Sequence, residues 1–163
     1  MKQKIKKLNL YLETSIWNFI YADDAPDKRD ITKCLFEEIK AGRYEIFISD
    51  LVSAEIEDAP EPVKRKLLTF IYEMRPKQLI SNHEVEQLAN AYFKAKVTSQ
   101  NALADVLHVA HAVVHNMDVV VSWNLRHIVR LKTKLAVNGV NKMMGYREIE
   151  IVTPEEVIDY GND

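Results

Sequence analysis

Four side chains carry the oxygen chemistry of this chain: Glu13, Glu55, Asp105 and Asn124. They come from separate parts of the sequence, yet each lies beside an apolar run of the kind that builds a core. If those runs form a parallel sheet, the four groups converge at one edge, beyond the carboxyl ends of the strands, where such sheets bind ligands. Carboxylates packed together repel, which raises their pKa values and costs stability. A divalent cation removes the conflict, and hard oxygen donors without sulfur favour Mg2+ or Mn2+ over zinc. The chemistry that follows is phosphodiester hydrolysis, with the metal activating a water and offsetting charge at the phosphate. Each acid also has a plainer use. Asp105 in a first helical turn suits the helix dipole, and Glu55 suits a wet helix face. Glu13, ending a core strand, needs some partner whatever its role.

The elements that must position these groups follow from periodicity and punctuation. Leu8, Leu10 and Leu12 alternate with Asn9 and Tyr11, predicting a strand over 8–12. Thr14 and Ser15 are cap residues for an apolar turn through Ile16, Trp17, Phe19 and Ile20. ADDAPD (22–27) predicts a loop, and 28–40 an amphipathic helix stopped by Gly42. YEIFIS (44–49) predicts a second strand, with Asp50 as cap of the helix LVSAEIED that carries Glu55. Pro60 and Pro62 lead into a helix over 62–74, and Pro76 precedes a short strand over 78–80. Asn82 caps a helix over 83–96, and TSQN (98–101) is a turn before the helix over 102–115. Residues 118–122 are the fourth strand, whose three successive valines suit burial on both faces. A helical stretch over 126–144, broken at Asn138–Gly139, leads to a last strand over 148–152. Thr153-Pro154-Glu155-Glu156 then opens a helix with a capping box. Strands alternating with helices imply an α/β fold: a three-layer α/β/α domain around a parallel sheet of about five strands, with right-handed crossovers. No repeat, low-complexity tract or linker interrupts it, so residues 1–163 read as a single domain.

Other polar residues have two readings each. His108 stands three residues after Asp105 on one helix face, placed to orient Asp105 or assist proton transfer, or simply to pack with one nitrogen satisfied. His111 and His115 are one turn apart, but no acid or third histidine is placed to complete a metal site with them. His127 is placed to brace the loop after strand four. Trp123 offers a surface for a base to stack on, or a packing group. Asp118 begins its strand and so belongs to the other edge. From Val119 to Arg147 there is no acid, and the stretch carries Arg126, Arg130, Lys132, Lys134, Lys142 and Arg147. It reads as a phosphate-binding face beside the site or as a solvated helix face. Lys2, Lys4, Lys6 and Lys7 extend the same field or stay in solvent.

A formal net charge of -2 argues against a protein that coats nucleic acid by global charge, but not against an enzyme with a local basic face. A single cysteine, Cys34, excludes an intramolecular disulfide and a Cys-rich zinc site. Its apolar helical setting predicts a buried, inert thiol. The basic start MKQKIKKLNL is not followed by a long apolar run, so no signal peptide is expected. No run approaches the roughly 20 apolar residues of a membrane span. A reducing, cytoplasmic setting is the expectation.

The segments LYLETS, SDLVSAEI, ALADVLHVA and VVVSWNLRHI, in this order, resemble the four motifs of PIN-domain nucleases. These include the VapC-type ribonuclease toxins of bacterial and archaeal toxin–antitoxin pairs. The resemblance runs from about Leu8 to Ile151 and implies a sheet of order 3-2-1-4-5. By it, Glu13, Glu55 and Asp105 match the first, second and third metal-binding acids, and Asn124 falls where many members carry a further Asp. Ser15 matches a small polar residue near the first acid, and Ser122 a hydroxyl that ends strand four. The Ser-Trp-Asn-x-x-His arrangement looks like one branch of the family. The activity implied is that of a Mg2+- or Mn2+-dependent endoribonuclease acting on single-stranded or looped RNA, with a homodimeric state and a small antitoxin protein as partner. Glu13 in place of Asp, and Asn124 in place of an acid, motivate an alternative: a PIN module that binds RNA or a protein partner without cutting. A different Mg2+ phosphohydrolase on a similar sheet has less support, because the chain has neither a nucleophilic Asp-x-Asp nor a glycine-rich phosphate loop.

Overall fold

Three consecutive valines with no water-facing side can only sit between two layers. In the computed structural model, which describes residues 6–98 and 102–161, they form β4 (Val119–Val121), and all three are buried. β4 pairs in parallel with β1 (Leu8–Leu12), Leu10 opposite Val119 and Leu12 opposite Val121. On its other side β1 pairs with β2 (Tyr44–Ser49), and β2 with β3 (Lys77–Leu79). β5 (Glu150–Val152) adds to the far side of β4. The five-stranded sheet is wholly parallel, in the order β3-β2-β1-β4-β5.

Helices cover both faces. α1 (Thr14–Phe19) and α2 (Pro26–Lys40) lead from β1 to β2, and α3 (Asp50–Glu57) and α4 (Val63–Met74) from β2 to β3. The return from β3 to β4 runs through α5 (His83–Lys94) and α6 (Leu103–Val114), which pack closely on each other. α7 (Leu131–Met144) joins β4 to β5, and α8 (Pro154–Gly161) packs on α2. The core runs through the sheet: Leu10, Leu12, Val120 and Ile151 are fully buried within it, and Trp17, Phe36 and Phe70 form an aromatic cluster against one face.

Several boundaries differ from the sequence expectation, each for a local reason. Pro26 and Asp27 belong to α2, because proline at a first helical position starts a helix as readily as it ends a loop. β3 is displaced by one residue, leaving Ile80 exposed, and β4 and β5 are shorter than the stretches that suggested them. α7 starts only at Leu131, after turns over 125–130, and continues through Asn138–Gly139 to an αL stop at Gly145 (φ 81°). The Asn138 and Asn141 side chains hold it there: Asn138 Oδ1 accepts from Ile149 N, and Asn141 takes the Tyr92 hydroxyl. Cys34 is exposed rather than buried, because the inward face of α2 is Thr32, Leu35, Phe36 and Ile39. The predicted turn at 98–101 lies largely outside the described residues, as do Lys2 and Lys4.

Leu12→Ala would empty a fully buried position at the sheet centre. A fall of about 2–5 kcal/mol in unfolding free energy is expected in a urea titration. Leu131→Ala, on the exposed face of α7, should stay within about 0.5 kcal/mol of the parent.

Candidate functional site

β1 and β4 lie side by side, but the chain leaves them toward opposite edges, so a crevice opens at their carboxyl ends. Glu13 directly follows β1, and Ser122 directly follows β4. Glu13 is the N-cap of α1 in place of the expected Thr14 or Ser15: its backbone is extended, and Oε2 accepts from Ser15 N at 3.0 Å. Oε1 accepts from two hydroxyls, Ser15 Oγ at 2.6 Å and Ser122 Oγ at 2.6 Å. The same hydroxyl oxygens take backbone N–H groups of the next loop, Ser15 from Trp123 at 2.8 Å and Ser122 from Asn124 at 2.9 Å. A carboxylate only 6 % exposed is thereby met by three donors, which its acceptor-only oxygens require.

Glu55 reaches the same edge from α3. Its Oε1 accepts from Thr14 Oγ1 at 2.9 Å and faces His108 Nε2 at 2.5 Å. Partial burial pushes this carboxyl up, but His108 and Thr14 outweigh that and hold it below the ordinary range. His108 therefore serves Glu55, not Asp105 as its i+3 spacing suggested: the imidazole reaches sideways from α6 to α3, which pack together. Its other nitrogen meets Tyr11 OH at 2.6 Å, and Tyr11 OH meets Ser49 Oγ at 2.8 Å. Ser49 is the N-cap of α3, the place expected for Asp50.

Asp105, in the first turn of α6, is pushed the other way. Burial raises its carboxyl; the nearby His127 and His108 oppose that, while Glu13 and Glu55 add to it. The three acids thus share one electrostatic neighbourhood. Asp105 Oδ1 accepts from Asn124 Nδ2 at 3.2 Å, and Asn124 Oδ1 accepts from His127 N at 3.0 Å. Asn124 stands where a fourth acid would repel Asp105 and donates to it instead.

The remaining sequence candidates sort by edge. Arg126 and Lys132 are exposed just past the site, with Arg130 and Lys134 half-buried beside them. Arg130 Nη1 donates to Arg126 O at 3.1 Å. Arg147 instead donates to Asn116 O, before β4, and Asp118 accepts from Asn9 N, so both belong to the opposite edge. Trp123 is a packing group: it is buried, its indole N–H donates to Thr32 Oγ1 at 2.9 Å, and its ring meets Phe19. Contrary to the sequence reading, an acid does stand beside His111. Its Nε2 is 3.3 Å from Asp50 Oδ1 and 3.1 Å from Ser81 Oγ. Both partners share that nitrogen and Nδ1 has none, so this is not an activated serine, whose histidine needs its acid on the other side. Burial pushes His111 down to about 4, so it stays neutral. Sequence reasoning missed Tyr11, Thr14 and Ser49; the available signal was a tyrosine inside a core strand, whose hydroxyl must find a partner.

No three His, Cys, Asp or Glu side chains among the described residues are grouped closely enough to hold a metal ion as they stand. The donor chemistry nevertheless suits a hard cation: oxygen ligands only, with Asp105 held up by burial and two neighbouring acids. Glu13 has both oxygens in hydrogen bonds, whereas Oε2 of Glu55 and Oδ2 of Asp105 have none among the described residues. The open ligands are thus two carboxylates.

The architecture defines a class, the α/β/α domain with a parallel 3-2-1-4-5 sheet. Nine solved chains match it. Among them is a chain of VapBC2 from Rickettsia felis, in a crystal structure of that complex bound to a DNA fragment from their promoter. It superposes with a TM-score of 0.55 at 16% identity, over 90% of this chain and 98% of that one. At that identity the likeness establishes the fold. No protein-family model matches the sequence, and no curated protein matches it significantly. Among the described residues no helix is long and apolar enough to cross a membrane.

Ser122→Ala removes one donor from a buried carboxylate and the acceptor for Asn124 N. It should cost about 1–3 kcal/mol in chemical denaturation. Asp105 has a folded pKa above its unfolded one, so its ionised form costs stability at neutral pH, and the cost fades as pH falls through the folded value. Asp105→Asn should therefore raise the thermal midpoint at neutral pH in the presence of chelator, and the gap to the parent should narrow in thermal melts on acidification.

Proposed function

We propose that this protein is a Mg2+- or Mn2+-dependent endoribonuclease of the PIN type. The observation that carries the reading is geometric: Glu13, Glu55 and Asp105, from three separate elements, stand along the carboxyl edge of the sheet, with Asn124 donating to Asp105. Acids from three elements brought to one crevice, with an exposed basic segment beginning two residues past Asn124, fit the cutting of a phosphodiester backbone. Glu55 and Asp105 would hold the cation, each with one oxygen tied back and one open. When bound, such an ion lowers the pKa of a water and offsets phosphate charge.

The chain's own residues do the rest. Glu13, through Ser15 and Ser122, fixes the loop after β4 so that Asn124 stays on Asp105. Asn124 Nδ2 and His127 keep Asp105 oriented and partly compensated. Arg126, Arg130, Lys132 and Lys134 supply positive charge for a single-stranded or looped RNA. The reading extends, through the motif resemblance, to a toxin role with a small antitoxin partner, a homodimer and a cytoplasmic setting; the likeness to a chain of a VapBC complex supports the fold on which it rests. A second reading has its own observation: both Glu13 oxygens are engaged and no closed three-ligand cluster exists among the described residues, which favours an RNA- or protein-binding module without cleavage.

Incubation with structured RNAs plus Mn2+ or Mg2+ separates the two. The parent should cleave, and Asp105→Asn should lose more than the roughly 10–100-fold that follows loss of a ligand's supporting partner. Equal residual cleavage by parent and variant would reject the enzyme.

A further inference from the structure

A run of polar groups with no sequence proximity leaves α3 and returns to it. It starts at Val52 N, which donates to Ser49 Oγ at 3.4 Å. It passes to Tyr11 OH at 2.8 Å and on to His108 Nδ1 at 2.6 Å. It ends at His108 Nε2, 2.5 Å from Glu55 Oε1. Ser49, Tyr11 and His108 are at most 1 % exposed, so no solvent satisfies them in place of these contacts.

The direction of every proton follows from valence. A carboxylate oxygen only accepts, so His108 Nε2 must carry the hydrogen. With Nδ1 as the acceptor, the single Tyr11 proton is spent on it. Tyr11 oxygen is left as an acceptor, and Ser49 donates to it. Ser49 oxygen in turn accepts from Val52 N–H. One orientation satisfies all five groups at once. At its end Glu55 Oε1 is taken twice, by His108 and by Thr14, and Oε2 is left open.

We infer that Tyr11 and His108 are positioning residues for Glu55: the buried chain from the α3 N-cap anchors the His108 ring at Nδ1, holds its Nε2–H on Oε1 of Glu55 and so presents Oε2 to a divalent cation in the crevice. The inference rests on the function proposed above. Tyr11 never touches the site. It acts through His108, and His108 acts through one oxygen of Glu55. Thr14, from the first turn of α1, closes the same clamp from the other side.

The test uses the full chain and two independent readouts. In cation-free protein labelled with 15N-histidine, long-range proton–nitrogen NMR should show His108 wholly as the Nε2–H form. Tyr11→Phe keeps the ring and the fold and removes only the hydroxyl; it should shift the His108 Nδ1 signal, as that nitrogen loses its donor, and weaken Mn2+ binding, read by electron paramagnetic resonance, about 10-fold or more. His108→Gln places an amide N–H near the Nε2 position and should retain most Mn2+ affinity, whereas His108→Leu should lose it; circular dichroism checks that both fold. A parent showing the Nδ1–H form, or a Tyr11→Phe variant with unchanged Mn2+ affinity, overturns the inference. A parent with the expected tautomer that binds no Mn2+ at millimolar concentration overturns the proposed nuclease and the positioning role with it, leaving the chain as a tie between α3, β1 and α6.

Discussion

A carboxylate buried where two parallel strands part must be met by donors or the fold does not form. Removing such a group from water without partners costs several kcal/mol, comparable to the whole stability of a domain this size. Glu13 is in that position, and three donors from two elements answer it. The consequence reaches past the acid itself. Because Ser15 and Ser122 also accept from Trp123 N and Asn124 N, the loop after β4 takes its shape from the residue after β1. Trp123 is then directed under α2, and Asn124 toward α6. The topology opens the crevice, and the contacts that satisfy this buried anion shape one of its walls.

The other two acids are handled differently, and the contrast gives the edge its character. Glu55 is stabilised as an anion by a histidine and a threonine, whereas Asp105 is destabilised by burial and by its acidic neighbours. An arrangement meant only for stability would pair Asp105 with a cation. Here it receives an amide, Asn124, with the influence of His127 beside it. Opposite shifts in neighbouring carboxyls are the pattern on which the proposed function draws.

Much of this is legible in the sequence, for identifiable reasons. The alternation in LNLYL and the run of valines at 119–121 are strong signals, because strict alternation suits only a strand and an unbroken β-branched run suits a strand covered on both faces. They place β1 and β4, and with them Glu13 and Ser122, at the correct edge. The Asn82 cap forms as its residue type dictates, and so does one arm of the Thr153–Glu156 box, Thr153 N donating to the Glu156 carboxylate. What the sequence hides is lateral: which neighbour a side chain reaches across the gap between elements. His108 shares a helix face with Asp105 but finds Glu55, and Asp50 sits beside His111 although they are distant in the chain. Asp50 and Ser49 compete for one cap, and nothing in their order says which hydroxyl or carboxylate wins. Cys34 escapes the burial its apolar neighbours suggest, because those neighbours belong to the adjacent face of the same helix.

That exposed sulfur has a practical side. It is the sole thiol in 163 residues, and it lies in a shallow groove between α2 and α8 beside Ile31 and Ile158, among residues that take no part in the crevice. A maleimide dye or nitroxide would attach at one defined address without competing modification. Unaltered protein is thereby ready for fluorescence or distance spectroscopy, with the reporter already on the outer layer.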